Sequence, residues 1–578
     1  MKNLKVACAT PKCRAIDITY NFEEIILEIK KAKADGVELL ILPELSLTTA
    51  MCKDYFWLDD IKQEANIFLQ KILLETDNIY VLIGSSHYVD GKLYNVALLL
   101  NNKEIVKVVQ KKSSDKYFES EIKFDLEGTK ESIYTLKNGV SVGIAFSLEQ
   151  VVDFSCDVLA VVHSGIKDIV EYNHYCKLLK EITATKNIVI ATAMPSFLSS
   201  TTDFVLISEN SIAKNGQIIN RANLFETGQI VADISSPASM EIKYNNMYFE
   251  AKMRRPFSDI CMPNFSEMFD MQVYSLMQRM LATNAQKVFI GISGGLDSTL
   301  ALLVTCRCMD KMNRDRKNVV AITLPCFGTS KRTKSNAEIL STELMVDFRI
   351  IDIKDSILEH FKAIDHQADD YDVAYENSQA RERTQVLMDI ANKENGIMLG
   401  TGDLSELALG WTTYSGDHMS NYAINASIPK TLMQDMICKI ARQETNQVIK
   451  ECLLDIVATP ISPELLPAQQ GEMQQKTENI LGPYEFYDFL LYYGIYLKKG
   501  VHIVYNLANE IFGNELTGQQ IKEYMKRFYT RFVSQQFKRS CLPDGPLVTF
   551  FSLSPREGFK IPSDASARVF LDIIDSIS

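Results

Sequence analysis

The run Val288-Phe-Ile-Gly-Ile-Ser293-Gly294-Gly295-Leu-Asp297-Ser298-Thr-Leu300 constrains this chain more than any other. Its apolar start reads as a buried strand, and the spacing of apolar residues after Ser298 reads as a helix. The two glycines between them supply the positive φ and close backbone approach of a sharp strand-to-helix turn. Such a turn presents unpaired amides and a helix N-terminus to an anion. Ser293 and Ser298 add hydroxyl donors, and Asp297 can hold magnesium against phosphates. The string lacks the Gly-Lys-Ser/Thr ending of a Walker A loop, so it is a phosphate cradle of another type. A strand feeding a helix in this way also requires a layered α/β domain around it.

At 578 residues, a prior of about 150 residues per domain predicts two large domains. The hydrophobic fraction of 46% and charged fraction of 23% are those of soluble globular proteins. A net charge of −12 without a basic stripe argues against a nucleic-acid partner. The N-terminus has no signal-peptide core, and no apolar run approaches the roughly 20 residues that span a bilayer. No membrane partner and a cytoplasmic location are therefore expected. Twelve scattered cysteines, with Cys306 and Cys308 the only close pair, are expected to be mostly reduced core residues. Neither they nor the seven histidines show zinc-ligand or His-Glu-x-x-His spacing, so a transition metal is not indicated.

Before residue 240, short β-branched runs alternate with helical periodicity. Strands are expected at Leu4 to Thr10, Val37 to Leu42, Ile79 to Gly84, Ala97 to Leu100, Val140 to Phe146, Val158 to Val162 and Ile188 to Ala193. Helices are expected at Phe22 to Ala34, Glu64 to Glu75 and Glu171 to Thr185. Some strands follow one another directly, which predicts a mixed sheet. A polar stretch with Met and Pro then reads as a linker. This divides the chain into a first domain, 1–245, a linker, 246–268, and a second domain, 269–578. The second opens with a helix at Met271 to Thr283, a strand at Lys287 to Ile292, a helix at Ser298 to Met309 and a strand at Val319 to Leu324. That is the beginning of a doubly wound parallel sheet.

The Ser293 to Ser298 string resembles the pyrophosphate loop of the adenylate-forming amidotransferases, which include NAD, GMP and asparagine synthetases. Six more segments narrow the resemblance. Leu324 to Ala337, Asp372 to Gln385, Gly400 to Trp411, Tyr422 to Lys430 and Gln475 to Tyr484 look like blocks of glutamine-dependent NAD synthetase. So does Phe537-Lys-Arg-Ser-Cys-Leu-Pro543. The resemblance implies an ATP pyrophosphatase domain with a Rossmann-like sheet that amidates deamido-NAD through an adenylate, using ATP and Mg2+. It implies ATP contacts from Ser293, Gly294, Gly295, Asp297, Ser298, Thr401 and Lys430, with Asp297 and Glu406 as magnesium ligands. Asp297, Glu406 and Lys430 would form the catalytic set. Asn377, Arg381, Arg383, Lys538 and Arg539 would take the dinucleotide, the arginines through their planar forks. A homo-oligomer is also implied.

The first domain resembles the nitrilase-like glutaminase fused to such synthetases, an α/β/β/α sandwich. Val6 to Pro11 and Leu42-Pro-Glu-Leu-Ser-Leu-Thr48 carry that likeness. The family's catalytic base matches Glu44 and its lysine matches Lys111. Its nucleophilic cysteine falls on Ser147, and the glutamate after it on Leu148. A hydroxyl is a far weaker nucleophile than a thiol in a site built for sulfur. Ser113-Ser-Asp-Lys116 and Val162-His-Ser-Gly165 also depart from the family strings. Cys156, nine residues on, is expected in the next helix or loop. The first domain is thus expected to be an inactive scaffold, with free ammonia, rather than glutamine, as the nitrogen source. Three other readings stand beside it: an active glutamine-dependent enzyme, a paralogue amidating another carboxylate, and a binding protein without turnover. For the first domain, an amidase using Ser147 is a fourth.

Overall fold

The computed structural model describes residues 3–89, 91–112, 116–119, 132–245, 252–327, 331–459 and 482–577. The chain divides into unit 1, Met1–Thr201 with Val205–Asn246, and unit 2, Thr202–Phe204 with Met247–Ser578.

Unit 1 runs through β1 (Lys5–Thr10), β2 (Leu39–Ile41), β3 (Tyr80–Val89), β4 (Lys92–Asn101), β5 (Glu104–Gln110), β6 (Ile133–Thr135) and β7 (Ser141–Ala145). It continues with β8 (Val158–Val162), β9 (Val189–Ala193), β10 (Ser211–Lys214), β11 (Gln217–Arg221), β12 (Gly228–Asp233) and β13 (Met240–Glu241). Two sheets result, in the orders β12-β1-β2-β3-β4-β5 and β13-β11-β10-β9-β8-β7-β6. Each has a parallel centre, β1-β2-β3 and β7-β8-β9, and antiparallel edges. Alternation along the strands sends Val6, Cys8, Leu39 and Ile41 against Val142, Ile144, Ala160 and Val162 between the sheets. The intervening Ala7, Leu40, Val81 and Ile83 meet the helices Ile18–Ala34 and Asp59–Leu74 on the outside. The helix Ile169–Thr185 covers β9 to β11 on the other side. The result is an α/β/β/α sandwich.

All seven strands expected in unit 1 are present, with shifted ends. The strands β5, β6 and β10 to β13 go unread in the sequence because they are short and carry exposed or half-exposed polar residues such as Gln217, Lys107 and Arg221.

Unit 2 is built on β14 (Lys287–Gly291), β15 (Val319–Thr323), β16 (Asp347–Ile350), β17 (Gly396–Gly400) and β18 (Tyr422–Ala423), in the order β16-β15-β14-β17-β18. Every pairing is parallel. On one face Phe289, Val320, Ile322 and Met398 pack against Phe361, Tyr375 and Leu387. The chain runs outward from β14 in one direction to β15 and in the other to β17. This reversal opens a crevice at the carboxyl ends of β14 and β17, where ligands bind in open parallel sheets.

The expected linker 246–268 is corrected in part. Residues 246–251 lie outside the described residues, but the chain is helical from Pro256, at Pro256–Cys261 and Met262–Asn264, and then enters the helix Phe265–Thr283. Proline at the first helical position starts such a segment at no cost in hydrogen bonds. Arg254 pairs with Glu485 and Glu515, and Arg255 with Asp435, which anchors the stretch to unit 2.

Candidate active site

After β14 the chain makes its turn at Gly294, whose φ of +81° lies in the left-handed region. Gly295 then caps the helix Leu296–Lys311. The serines organise the turn: Ser293 Oγ accepts from Gly295 N at 3.2 Å, and Ser298 Oγ accepts from Ser293 N at 3.3 Å. After β17, Asp403 caps the helix Leu404–Leu409 by accepting from Glu406 N at 3.0 Å. Buried Asn425 ties the two strand ends together, since its Nδ2 donates to the carbonyls of Asp297 and Thr401, both at 3.0 Å.

Lys430 opens a third helix, Lys430–Gln443, directly after Pro429. Its backbone N–H donates to Ser405 Oγ at 2.8 Å. Its ammonium, only 1% exposed, meets three carboxylates: Asp297 at 2.7 Å, Asp403 at 2.5 Å and Glu406 at 3.0 Å. Burial opposes its charge, but the carboxylates outweigh burial and hold its pKa well above the ordinary lysine value. Burial pushes the Glu406 carboxyl up to about 7, with Asp297 adding to the rise and Lys430 opposing it. Asp403, also buried, is raised well above the ordinary aspartate value. The ligand oxygens of Asp297, Asp403 and Glu406 lie within 4.8 Å of one another. An all-oxygen donor set of this kind suits a hard dication such as magnesium. The side chains of Asp297 and Glu406 are 24% and 18% exposed and that of Asp403 is fully enclosed, so the first two are the open faces.

The sequence reading missed Asp403, Asn425 and Asp488. Asp488 is 1% exposed and accepts from Ser405 Oγ and from both the N–H and hydroxyl of Thr431. It thereby locks the first turns of the helices that carry Glu406 and Lys430. Only Asp403 left a signal, an Asp three residues ahead of Glu406 at the start of an apolar helix.

Asn377, Arg381 and Arg383 lie on the helix Val373–Lys393. Arg381 Nε donates to the Tyr414 carbonyl at 3.2 Å and Arg383 Nε to that of Leu324 at 3.1 Å. Lys538 Nζ donates to the carbonyls of Gly410 and Thr412 at 2.9 and 2.7 Å. Arg539 requires a correction. It is 1% exposed, donates to the carbonyls of Leu407, Ala408 and Phe532, and closes the C-terminus of the helix Leu404–Leu409 rather than meeting a dinucleotide. Lys430 likewise faces carboxylates here, not a phosphate. The Gln475 to Tyr484 block lies outside the described residues up to 481.

In unit 1, Glu44 follows β2 and is 3% exposed. Gly84 lets the backbone approach, since a Cβ there would lie 2.4 Å from Glu44 Cα. Lys111 Nζ donates to both carboxylate oxygens of Glu44 at 2.8 Å, and Asn95 Nδ2 to one of them at 2.7 Å. The expected base and lysine are thus adjacent, with Asn95 as an unforeseen partner. Ser147 follows β7, two residues beyond its end, and its side chain hydrogen-bonds Glu149. His163, after β8, is 8% exposed; burial, aided by the Lys111 charge, pushes its pKa down to about 4. Cys156 lies in the loop before β8, its Sγ 2.8 Å from where a Gly143 Cβ would stand. Burial pushes its thiol up to about 11, away from the lowered values of nucleophilic cysteines. Ser113 to Asp115 lie outside the described residues.

Residues 268–540 match the NAD synthase family model, and residues 5–153 the carbon-nitrogen hydrolase model. An NAD synthase domain thus follows a carbon-nitrogen hydrolase domain in this chain. The chain is 43% identical over 333 residues to a glutamine-dependent NAD(+) synthetase of Mycobacterium leprae, a match covering 54% of this chain and 49% of that relative. The match therefore spans about half of the relative's length. A synthetase of the same name from Thermotoga maritima is 26% identical over 536 residues, covering 87% of this chain and 90% of the relative. The crystal structure of a glutamine-dependent NAD(+) synthetase from Cytophaga hutchinsonii shares the fold at a TM-score of 0.79 and 17% identity, covering 99% of this chain and all of that one. Among the described residues, no helix is long and apolar enough to cross a membrane.

Proposed function

We propose that this chain makes NAD from deamido-NAD, ATP and free ammonia. The dinucleotide carboxylate attacks the α-phosphorus of ATP and pyrophosphate leaves. Ammonia then attacks the acyl carbon of the adenylate and AMP leaves. The observation that carries this reading is the convergence of Asp297, Asp403, Glu406 and Lys430 beside the Ser293 to Ser298 turn. The turn's amides and hydroxyls take the phosphates. Asp297 and Glu406 would hold Mg2+, which supplies positive charge against the phosphates when bound. Thr401 lines the ATP side, and Asn377, Arg381, Arg383 and Lys538 serve the dinucleotide. Lys430 positions the two magnesium ligands and neutralises part of their charge. A closed crevice protects the adenylate from water, so that ammonia meets it first. A homo-oligomer in the cytoplasm goes with this reading, and gel filtration with light scattering tests the oligomer.

Ammonia is preferred over glutamine because Ser147 and Leu148 stand where the family has Cys and Glu. The competing reading, a working glutaminase, draws support from the preserved contact of Glu44 with Lys111 and Asn95. Pyrophosphate release from ATP and deamido-NAD, measured with ammonium and then with glutamine, separates the two. Turnover with ammonium and almost none with glutamine is expected. Comparable turnover with glutamine at low concentration removes the ammonia assignment. Absence of turnover with both, together with turnover on another carboxylate, removes the NAD assignment.

A further inference from the structure

Cys541 stands apart from the other thiols of the chain. All twelve cysteines are free; nine are buried, Cys156 and Cys438 are half-buried, and Cys541 is exposed. Its Sγ lies 3.5 Å from Nε2 of His418, a ring only 5% exposed. His418 Nδ1 accepts the backbone N–H of Ser415 at 3.0 Å. That bond fixes the tautomer, because a ring whose Nδ1 is an acceptor carries its neutral-state proton on Nε2, beside the sulfur. Tyr414 also hydrogen-bonds the sulfur, and its ring stacks on His418 at 5.2 Å. As a thiol, Cys541 donates to the Lys538 carbonyl at 3.5 Å. When the sulfur attacks, the Nε2–H and the Tyr414 hydroxyl are the donors that face it. This is an exposed sulfur with hydrogen-bond donors aimed at it, a setting that favours its attack on an electrophile.

We propose that Cys541 is a covalent modification site for low-molecular-weight disulfides, and that its occupation disables the dinucleotide side of the synthetase. The Cys541 thiolate attacks one sulfur of RS–SR. A new S–S bond forms, the old one breaks, and the departing RS⁻ takes a proton from water. The effect on turnover rests on the reading of the preceding subsection. The Tyr414 carbonyl holds Arg381, and Lys538 lies three residues before Cys541, so an adduct on Sγ disturbs the partners of two residues assigned to the dinucleotide.

The test treats the full-length enzyme with cystamine, maps the adducts by peptide mass spectrometry and follows ammonium-supported turnover. Cys541 is expected to carry the first adduct, and turnover to fall with its occupancy through KM for deamido-NAD rather than for ATP. Dithiothreitol is expected to restore it, and Cys541→Ser to stay active and resistant. Tyr414→Phe, which keeps the ring stack, and His418→Phe are each expected to slow adduct formation roughly ten-fold, the scale of one lost hydrogen bond to the attacking sulfur. An adduct at Cys156 or Cys438 ahead of Cys541, or unchanged rates in both variants, overturns the modification site. Full turnover of fully modified protein overturns its link to the dinucleotide. Unmodified enzyme without turnover strikes the NAD reading instead, and the adduct rates then still decide the thiol.

Discussion

Both units set a lysine against buried carboxylate, and the difference between the two sites is one of charge balance. In unit 1, Lys111 meets Glu44 one to one, and Asn95 adds a neutral donor. That pair is charge-balanced without a ligand; on the proposed reading, what the site lacks is a sulfur at Ser147. In unit 2, one ammonium faces three carboxylates. With all four groups ionised, two negative charges stay uncompensated, and the raised pKa values of Asp403 and Glu406 reflect this. Buried charge without a partner is costly, so the second site holds a standing demand for a dication. Geometry survives in both places, but only one of them is electrostatically unfinished.

The largest effect expected is that of Lys430→Ala. Three carboxylates would lose the ammonium that pairs with all of them, and breaking a buried ion pair by removing one partner costs about 3–5 kcal/mol. Thermal unfolding with and without Mg2+ checks this. The variant is expected to melt far below the parent and to gain more from Mg2+ than the parent does. Equal gains would show that the cluster is not where the metal acts. Asp297→Ala comes next, with a fall in pyrophosphate release of about 10³-fold, the scale set by removing one preorganised electrostatic group from an active site. Its fold should persist, because the Asp297 side chain is partly open. Unchanged release would end the catalytic assignment of the whole cluster.

The phosphate turn was legible because its chemistry is local: glycines, serines and an aspartate within six residues. So was the sheet around it, since strands buried on both faces are continuous apolar runs. Asp403 was harder, because a helix cap and a ligand draw on the same residue type. Asn425 and Asp488 could not be read at all; each works by bridging segments far apart in the chain. Arg539 was misread because a Lys-Arg pair in a recognised block looks like an anion site, and only burial shows that it closes a helix. Ser147 carried meaning solely by comparison with the family string.

A smaller effect concerns pH. Glu406, with a carboxyl raised from 4.5 to about 7, binds its proton more tightly folded than unfolded. Its contribution to stability is therefore complete below 4.5 and is lost as pH rises through 7. Mg2+ competes for the ionised form, so its apparent affinity is expected to fall about ten-fold per pH unit below 7. Unfolding scans at several Mg2+ concentrations between about pH 6 and about pH 8 measure this linkage. In Glu406→Gln the pH dependence of the Mg2+ shift should flatten; if it does not, the titrating group lies elsewhere.

The smallest expected effect tests the proposed inactivity of unit 1 as a glutaminase. Ser147→Cys places a thiol after β7, in a unit where Glu44 and Lys111 are already paired. If the missing sulfur were the whole defect, glutamine would then support turnover as well as ammonium does. Leu148 still replaces the glutamate of the family string, and neutral His163 occupies a strand end that has also changed. We therefore expect glutamine-supported turnover to stay below about a tenth of the ammonium rate, a barrier difference of at least 1.4 kcal/mol. Measured with the same protein sample in the same assay, a larger recovery would make the two sites alike after all, with one of them a single atom short of working.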